Sequence, residues 1–286
     1  MRSGFVAVAG RPNVGKSTLV NALCGTKVAI TSKVPNTTRR RIFGVANGPD
    51  YQLVLADLPG FQRPIDPLTE RLQRTVETSF EDVDAVLLVV DARERIGAGD
   101  RFVARRVFSL GRPVVIALNK IDRLKRAHVL SQLQAAAGLG DFHALHPVSA
   151  KTGQGIPELR EDLVSLLPEG PAYFPREQAT DLTLEERIAE VIREKALHLT
   201  REEVPHAITV EVEEVGEKVV RAFLYVETES QKGILIGAKG AMIREIGTRA
   251  RPEIEALLGR PVYLQLQVKV RPKWRHDPRM LERLGL

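Results

Sequence analysis

Short runs of apolar residues alternate with longer amphipathic stretches through the first part of the chain. The runs are bounded by turn residues and are apolar on both faces, which is typical of strands buried in a parallel sheet. They lie at residues 5–9, 53–56, 85–90 and 114–118, and a further strand closes at 147–148. Helical patterns occupy residues 17–23, 68–80, 102–110, 127–137 and 158–167. This alternation predicts right-handed crossovers and a three-layer α/β/α domain with a mostly parallel sheet.

One strand pair departs from the parallel pattern. Residues 40–47 and 51–56 flank a Gly-Pro-Asp turn. Two apolar segments joined by such a turn indicate a hairpin. We therefore expect one antiparallel edge strand next to the parallel ones.

The last third of the chain follows a different order of elements. After Thr183, which opens a helix with a capping-box pattern, residues 208–214 and 219–227 alternate like the two strands of a hairpin. Two helices and a last strand follow, at residues 232–236, 241–258 and 261–270. The order helix, strand, strand, helix, helix, strand predicts a smaller α+β unit with its helices on one face of the sheet.

A proline-containing stretch without periodicity separates the two patterns, which is typical of a linker. We predict three parts: a first domain over residues 1–168, a linker over 169–182, and a second domain over 183–286.

Composition excludes several classes of protein. A length of 286 residues suffices for two domains with separate cores, and 43% hydrophobic with 27% charged residues is typical of a folded globular protein. The single cysteine, Cys24, excludes an internal disulfide and is expected to pack in the core. A strand pattern starts directly after Arg2, and no apolar run reaches membrane-spanning length. We therefore expect a cytoplasmic protein. We also expect it to be a monomer.

The net charge of +6 is unevenly distributed. From Gln231 to the end, 12 basic residues face 5 acidic ones. A basic segment of this kind suggests an anionic partner such as nucleic acid, although the same charges could form an ordinary solvated surface. A binding motif in the same segment would favour the first interpretation.

The first functional motif is the glycine-rich loop from Gly10 to Ser17, between a strand and a helix. Gly10 and Gly15 let the backbone curl so that its N–H groups face a phosphate. Lys16 is suited to reach the β- and γ-phosphates, and Ser17 offers a hydroxyl to Mg²⁺. The motif predicts a nucleoside triphosphate site.

Asp57 and Gly60, later in the chain, complete the phosphate side of this site. Asp57 ends a strand, where it suits a water-mediated Mg²⁺ contact, and the Gly60 N–H can sense a γ-phosphate. The polar segment 31–41 lies where a switch loop is expected. Its Thr38 is our candidate to complete Mg²⁺ coordination, with the adjacent Thr37 as the alternative.

The base is indicated by Asn119-Lys120-Ile121-Asp122 at the end of another strand. The Asp122 carboxylate can accept hydrogen bonds from the ring N–H and exocyclic amine of guanine, a donor pair that adenine lacks. Lys120 is expected to lie over the ribose and base. The segment Ser149-Ala150-Lys151 supplies an N–H, at Ala150, for the guanine carbonyl. Together with the phosphate loop, these motifs predict a GTP-binding protein.

Phe61 follows Gly60, where many switch GTPases carry a glutamine that orients the attacking water. Phe61 cannot do this, so intrinsic hydrolysis should be slow unless another group holds the water. Arg39, Arg40 and Arg41 are expected to form a basic strand edge facing solvent or RNA rather than to supply transition-state charge.

Gly237-Ala238-Lys239-Gly240 separates the two helices of the second domain. A lone Gly-x-x-Gly is a weak signal, but apolar and basic side chains surround it, namely Ile236, Ile243, Lys232 and Arg244. Two facing helix ends with small residues let a nucleic-acid backbone approach closely. The context predicts a KH module of the second topological type. Trp274 in the basic tail is a candidate for base stacking or, equally, for packing against the domain edge.

The whole chain resembles the bacterial Era GTPase family. The similarity rests on the loop from Gly10 to Ser17, on Asn36-Thr37-Thr38-Arg39, on Asn119–Asp122, on Gly237–Gly240 and on the Val268-Lys269-Val270 end. The resemblance implies a P-loop GTPase domain followed by a smaller type II KH domain. Leu58 departs from the threonine that is common in the family.

The resemblance also implies function and partners. It implies a GTPase that binds the 3′ end of small-subunit ribosomal RNA and acts in assembly of the 30S subunit. GTP or GDP and Mg²⁺ are the implied ligands, with K⁺ at Asn13 as a further candidate in place of an arginine finger.

The sequence and the resemblance lead to the following site assignments. Catalysis is assigned to Lys16, Thr38 and Gly60, and metal binding to Ser17, Thr38 and Asp57. Nucleotide binding is assigned to Gly10, Asn13, Val14, Gly15, Lys16, Ser17, Thr18, Asp57, Gly60, Asn119, Lys120, Asp122, Ser149, Ala150 and Lys151. RNA binding is assigned to Lys232, Ile236, Gly237, Ala238, Lys239, Gly240, Ile243 and Arg244.

Two alternatives stay open on the sequence alone. One is a GTP-dependent component of RNA modification, although no second catalytic cluster is visible in the sequence. The other is a membrane-associated signalling GTPase that uses the basic tail on anionic lipid at the inner face of the membrane. The tail lacks a long amphipathic helix, so weak peripheral binding is the most that we expect.

Overall fold

The computed structural model describes residues 1–34, 37–61, 65–80 and 82–286. The chain divides into two compact units. The first comprises Met1–Ala29, Pro35–Ile65 and Thr69–Asp181, and the second comprises Ile30–Val34, Asp66–Leu68 and Leu182–Leu286. None of the helices among the described residues has both the length and the apolar composition that a membrane span requires.

The first unit is built on a sheet whose strand order, within the described residues, is β2-β3-β1-β4-β5-β6. The strands are β1 Arg2–Ala9, β2 Ile42–Asn47, β3 Tyr51–Asp57, β4 Ala85–Asp91, β5 Val114–Asn119 and β6 Ala144–Val148. The pair β2 and β3 is antiparallel, and the other pairs are parallel. The predicted hairpin and the mostly parallel sheet are therefore confirmed.

Helices cover both faces of this sheet. They are α1 Lys16–Cys24, α2 Pro67–Thr78, α3 Ala98–Phe108, α4 Arg126–Ala137 and α5 Ile156–Ser165. Successive strand residues point to opposite faces, so Val6 and Val8 pack with α1 and α5, while Ala7 and Ala9 pack in the core on the α2, α3 and α4 face. The result is the predicted three-layer α/β/α arrangement.

Helix α3 begins four residues before the apolar pattern that predicted it. The Gly97 N–H donates to Asp100 Oδ2 at 3.0 Å, which satisfies an N-terminal backbone group of the helix. The extra turn consists of Ala98, Gly99, Asp100 and Arg101, which carry no large apolar side chain, so periodicity alone does not reveal it.

The predicted linker is held against the first unit by backbone hydrogen bonds. The Val45 N–H donates to the Ala179 carbonyl at 2.8 Å, and Gly44 and Thr180 form an isolated antiparallel bridge. Phe43 N–H donates to Asp181 Oδ1 at 2.8 Å. Residues 179–181 therefore lie beside strand β2, and Glu169 forms an isolated antiparallel bridge with Arg2 of β1. The domain bounds themselves stay a prediction.

The second unit has the predicted α+β order. Its main elements are α6 Leu184–Leu199, β7 Thr209–Val215, β8 Val219–Val226, α8 Glu229–Ile236, α9 Ala241–Leu258 and β9 Tyr263–Val270. Among the described residues the sheet order is β7-β8-β9, with β7 and β8 antiparallel and β8 and β9 parallel. Thr183 accepts a hydrogen bond from the Glu186 N–H at 3.2 Å, so the predicted capping box is confirmed.

The second unit contains short helical segments that the sequence patterns do not predict. Helix α7, Val204–Ala207, and helix α10, Pro278–Arg283, are four and six residues long. Helix α8 also starts three residues earlier than predicted, because Thr228 caps it by accepting from the Gln231 N–H at 3.2 Å. Such elements carry too few residues to show a helical period.

The structure decides between the two interpretations of Trp274. Its side chain is fully buried, and the indole N–H donates to the Ala207 carbonyl at 2.8 Å. The ring therefore packs against the domain rather than stacking on a base. A buried tryptophan normally satisfies its N–H in this way.

We expect Trp274→Ala to lower the free energy of unfolding of the second unit by about 3–5 kcal/mol, because a large buried side chain is lost. Trp274→Phe keeps an aromatic ring and loses the hydrogen bond, so about 1–2 kcal/mol is expected. Urea denaturation followed by far-ultraviolet circular dichroism measures both. Equal stability of Trp274→Ala and the parent chain would contradict the packing role.

Candidate functional site

The phosphate loop lies between β1 and α1 and requires glycine at two positions. Gly10 and Gly15 have φ angles of 153° and 100°. A Cβ on Gly10 would lie 2.6 Å from the Val89 carbonyl oxygen, and one on Gly15 would lie 2.4 Å from Asn119 Nδ2. Both contacts are too short for a real side chain, so the curl of the loop depends on these glycines.

Lys16 is buried at the start of α1. Its Nζ donates to the carbonyl oxygens of Gly10 and Arg11, at 3.1 Å each. Burial lowers the pKa of Lys16 to about 8, and the nearby Asp57 carboxylate opposes that shift. The ammonium is thus held inside the curl of the loop by neutral acceptors that an anion can replace.

Three oxygen-bearing side chains converge beside Lys16. Ser17 Oγ donates to Asp57 Oδ2 at 2.7 Å, and Thr38 Oγ1 donates to the same oxygen at 3.2 Å. The two hydroxyl oxygens are 3.1 Å apart. The sequence-predicted metal ligands Ser17, Thr38 and Asp57 are therefore brought together.

Asp57 retains capacity for another partner. Within the described part of the chain, its Oδ1 is buried and accepts no hydrogen bond. Burial raises the pKa of Asp57, while the hydroxyls of Ser17 and Thr38 and the charge of Lys16 act to lower it. A buried acceptor without a donor is what Mg²⁺ or its water would satisfy, so the oxygen-rich donor set fits Mg²⁺.

The motif at the end of β5 is tied to the phosphate loop and to the loop after β6. Asn119 Nδ2 donates to the Val14 carbonyl at 3.0 Å, and Asn119 Oδ1 accepts from the Ala150 N–H at 3.0 Å. Ser149 Oγ donates to Asp122 Oδ1 at 2.8 Å. These bonds bring the carboxyl ends of β1, β5 and β6 to one edge of the sheet.

Other assigned residues flank this edge. Thr18 is half-buried in the first turn of α1, and Lys151 is exposed after Ala150. Lys120 Nζ donates to the Asn13 carbonyl oxygen in the phosphate loop and to Asp91 Oδ2 at 2.7 Å. Asp91 was not among the predicted residues. Its one signal in the sequence is that an acidic residue ends an otherwise apolar strand.

Ion pairs that the sequence patterns do not predict anchor the phosphate loop on α3 and on the segment before it. Arg11 Nε donates to Asp100 Oδ1 and Arg11 Nη2 donates to Glu94 Oε2, both at 2.7 Å. The Asp100 side chain is almost fully buried, whereas that of Arg11 is 30% exposed. The contact joins residues far apart in the chain, which no local pattern reveals.

The segment after Asp57 lies close to the phosphate loop. A Cβ on Gly60 would lie 2.9 Å from Pro12 Cγ, so glycine lets the two backbones approach. The Phe61 ring stacks on Phe80, with centroids 5.9 Å apart. Phe61 therefore contributes to an apolar contact, in keeping with its inability to orient water.

The predicted basic edge is partly wrong. Arg39 is 8% exposed and so does not face solvent, whereas Arg41 is exposed with its guanidinium 4.6 Å from the centroid of the Phe43 ring. The run of charges alone could not distinguish a buried guanidinium from an exposed one. Asn36, which belongs to the family resemblance, lies outside the described residues.

The Gly-x-x-Gly segment of the second unit forms a tight turn between α8 and α9. Gly237, Lys239 and Gly240 have φ angles of 71°, 50° and 76°. A Cβ on Gly237 would lie 2.8 Å from the Met242 backbone nitrogen. The Gly237 N–H donates to the Gly233 carbonyl at 2.9 Å. The backbone then turns sharply before α9 begins.

Side chains around this turn combine charge with apolar surface. Lys239 and Arg244 are exposed, and Ile236 and Ile243 are half-buried. Lys232 is partly exposed on α8, and Ala238 is exposed within the turn. The predicted RNA-binding residues are therefore grouped at one end of the two helices.

Among the described residues, His, Cys, Asp and Glu form no cluster of three or more that could hold a metal ion. The candidate metal site consists instead of one carboxylate and two hydroxyls. Such a set leaves room for phosphate oxygens and water, as magnesium sites in nucleotide-binding proteins do. Fold and site together define a nucleotide-binding protein of the P-loop GTPase class with a second, KH-like unit.

Comparison with known proteins agrees with this class. The family model described as 50S ribosome-binding GTPase matches residues 5–120, and the KH domain model matches residues 203–275. The chain is 43% identical to GTPase Era of Heliobacterium modesticaldum, covering 100% of this chain and 97% of the relative. It is 46% identical to GTPase Era of Mycobacterium sp. strain KMS, covering 99% of this chain and 98% of the relative.

Solved structures agree over the same length. Aquifex aeolicus Era bound to GDP and AlF₄⁻ is similar with a TM-score of 0.96 at 39% identity, over 100% of this chain and 99% of that one. Era in complex with MgGDPNP and nucleotides 1506–1542 of 16S ribosomal RNA gives a TM-score of 0.94 at 39% identity, with the same coverage. The chain belongs to the GTPase Era family, and it is a GTPase.

The lowered pKa of Lys16 predicts that nucleotide binding takes up a proton. In the nucleotide-free protein Lys16 loses its charge as the pH rises through about 8. A bound phosphate favours the charged ammonium, so it raises that pKa and proton uptake follows. We expect GDP affinity to fall as the pH rises above this value.

Calorimetric titration with GDP at about pH 8, in two buffers of different ionisation enthalpy, measures the protons taken up on binding. About two pH units lower, Lys16 is charged in the free and in the nucleotide-bound protein, so proton uptake by Lys16 should vanish. Equal proton uptake at both pH values would contradict the prediction.

Proposed function

We propose that the loop from Gly10 to Ser17 and the Asn119 motif form one GTP site, with the roles predicted from the sequence. The observation that carries the proposal is the convergence of Ser17, Thr38 and Asp57 beside the buried Lys16. Lys16 and the loop N–H groups bind the β- and γ-phosphates. Asp122 accepts from guanine, and its bond from Ser149 fixes its orientation.

Hydrolysis transfers the γ-phosphoryl group of GTP to water and releases GDP and phosphate. Mg²⁺ bound by Ser17, Thr38 and Asp57 supplies positive charge for the phosphate oxygens. In our proposal Lys16 stabilises the charge that develops on the oxygen between the β- and γ-phosphates. The Thr38 and Gly60 backbones hold the γ-phosphate side of the site.

Phe61 leaves the attacking water without a side-chain carboxamide. We propose separately that K⁺ near Asn13 supplies positive charge in place of an arginine finger. Asn13 is exposed in the phosphate loop and has a φ angle of 64°, a left-handed conformation that asparagine adopts more readily than most residues.

If K⁺ serves at Asn13, GTP hydrolysis should be faster in K⁺ than in Na⁺ at equal ionic strength. Asn13→Ala should lower the hydrolysis rate in K⁺ by about tenfold, because one charge-stabilising group is lost. Most of the difference between the two salts should then disappear. Steady-state phosphate release in the two salts measures this effect. Equal rates of the parent chain in both salts would contradict the potassium proposal.

We propose further that the second unit binds single-stranded RNA through the Gly-x-x-Gly turn. Lys239 and Arg244 lie where phosphates would approach the turn, and Ile236 and Ile243 form an apolar surface for bases. The solved Era complex with a GTP analogue holds a fragment of 16S ribosomal RNA. By similarity, we propose the 3′ end of small-subunit ribosomal RNA as the target and 30S assembly as the process.

Charge-reversal variants test the proposed RNA surface. Lys239→Glu combined with Arg244→Glu should weaken binding of a 3′-end oligonucleotide at least about tenfold and flatten its salt dependence, because phosphate contacts are lost. Arg249→Glu is the matched control, since Arg249 lies on a different face of α9 and pairs with Glu245 at 2.6 Å. Fluorescence anisotropy at several salt concentrations measures both variants.

An equal loss in the control and the test variants would contradict the proposed surface.

We propose that the protein is monomeric. We propose also that any membrane contact is peripheral, because α10 in the basic tail has only six residues. Flotation of the protein with anionic vesicles at low salt, in the absence of RNA binding, would favour the membrane alternative instead.

We propose that nucleotide and RNA binding are coupled through the segment before Thr38. Residues Ile30–Val34 belong to the second unit, whereas Thr38 belongs to the first. Within the second unit, the Thr31 N–H donates to the buried carboxylate of Glu194 on α6 at 2.9 Å. A loop that orders around the γ-phosphate at Thr38 is therefore continuous with a segment of the RNA-binding unit.

A further inference from the structure

Asp91 lies at the end of β4, outside every motif that predicted the nucleotide site. Its side chain is 2% exposed, and it stands opposite Asn119 in the register of β4 and β5. The Ala92 N–H donates to the Asn119 carbonyl at 2.8 Å, which fixes the two strand ends side by side. The carboxylate therefore lies within reach of Lys120, the residue after Asn119.

The carboxylate is held as an ion by charged donors. Asp91 Oδ1 accepts from the Arg93 backbone N–H and from Arg93 Nε, at 3.0 Å each. Asp91 Oδ2 accepts from Arg93 Nη2 at 2.8 Å and from Lys120 Nζ at 2.7 Å. Burial acts to raise the pKa of Asp91, but the bonds from Arg93 and Lys120 outweigh it and lower that pKa below its ordinary value.

Lys120 connects this carboxylate to the phosphate loop. The same ammonium that binds Asp91 donates to the carbonyl oxygen of Asn13. Asn13 and Lys120 have φ angles of 64° and 73°, in the left-handed region, which asparagine adopts more readily than lysine does. Strained conformations persist where surrounding contacts hold them, and the ammonium makes a contact to both segments.

We propose that Asp91 is a positioning residue for guanine nucleotides. Its carboxylate holds the Lys120 ammonium against the Asn13 carbonyl. The carboxylate therefore fixes the position of Lys120, which is expected to lie over the base, relative to the phosphate loop at Asn13. The inference rests on the proposed nucleotide site and adds to it a residue that would touch no part of the nucleotide. Without Asp91 the flexible lysine loses its buried counter-charge and turns toward solvent.

The competing interpretation is that Asp91 only stabilises the end of β4, through its ion pair with Arg93. The two interpretations differ in the residue through which Asp91 acts. Arg93→Gln removes the Arg93 ion pair and leaves the Lys120 contact, so it is the matched control. Lys120→Met removes the ammonium itself.

The test measures the Kd for GDP, and KM and kcat for GTP, with the full chain carrying Asp91→Asn, Lys120→Met, both changes, or Arg93→Gln. We expect Asp91→Asn to raise Kd and KM about tenfold with kcat at saturating GTP within about twofold, because uniform binding is lost. In the Lys120→Met background, Asp91→Asn should change Kd by less than about twofold, since both act through one ammonium. Arg93→Gln should raise Kd less than about threefold.

A conservative variant and the melting temperature of the nucleotide-free protein separate positioning from stability. Asp91→Glu keeps the charge and should retain more GDP affinity than Asp91→Asn at equal melting temperature. An Asp91→Asn effect of the same size with and without Lys120 would overturn the inference, as would unchanged affinity in Asp91→Asn. Unchanged affinity in Lys120→Met would overturn the proposed nucleotide site and the inference together.

Discussion

The side-chain amide of Asn119 is the contact on which the nucleotide site depends. Its Nδ2 donates to the Val14 carbonyl, and its Oδ1 accepts from the N–H groups of Ala150 and Lys120. One amide thus joins the loops that follow β1, β5 and β6. The strand order brings these loop starts to one edge, and Gly15 is required because any Cβ there would meet the amide. Asn119 is itself 2% exposed, so the amide is held in place before any ligand arrives.

Beside the loops that Asn119 joins, the structure buries two opposite charges that compensate each other only in part. Lys16 and Asp57 are both buried, and burial shifts the pKa of each toward its neutral form. Such a site is costly in the nucleotide-free protein, because desolvated charge is only partly compensated. Bound phosphates and Mg²⁺ supply the missing partners, so ligand binding should stabilise the first unit by linkage. The same feature makes the site specific for a highly charged ligand.

Most of the fold could be predicted from the sequence because its elements are long and strongly patterned. The buried strands and the helix Ala241–Leu258 appear where periodicity predicted them. The Gly-rich loop and the Asn119 motif were identified because their residues lie close together in the chain. What escaped depends on contacts between distant residues. Asp91 meets Lys120 only through strand register, and Arg11 meets Asp100 only after α3 packs. The environment of Trp274 was likewise undecided until its indole N–H was seen to bond Ala207.

In the proposed function, guanine nucleotide binding and RNA binding are coupled in one chain. Linkage requires that RNA tighten a GTP analogue by the same factor by which the analogue tightens RNA. The direct measurement is the Kd of a non-hydrolysable GTP analogue and of GDP, each with and without a saturating oligonucleotide matching the 3′ end of small-subunit ribosomal RNA. We predict that the oligonucleotide lowers the Kd of the analogue and leaves that of GDP unchanged, while a scrambled oligonucleotide changes neither Kd. Equal affinities with and without the oligonucleotide in both nucleotide states would contradict it.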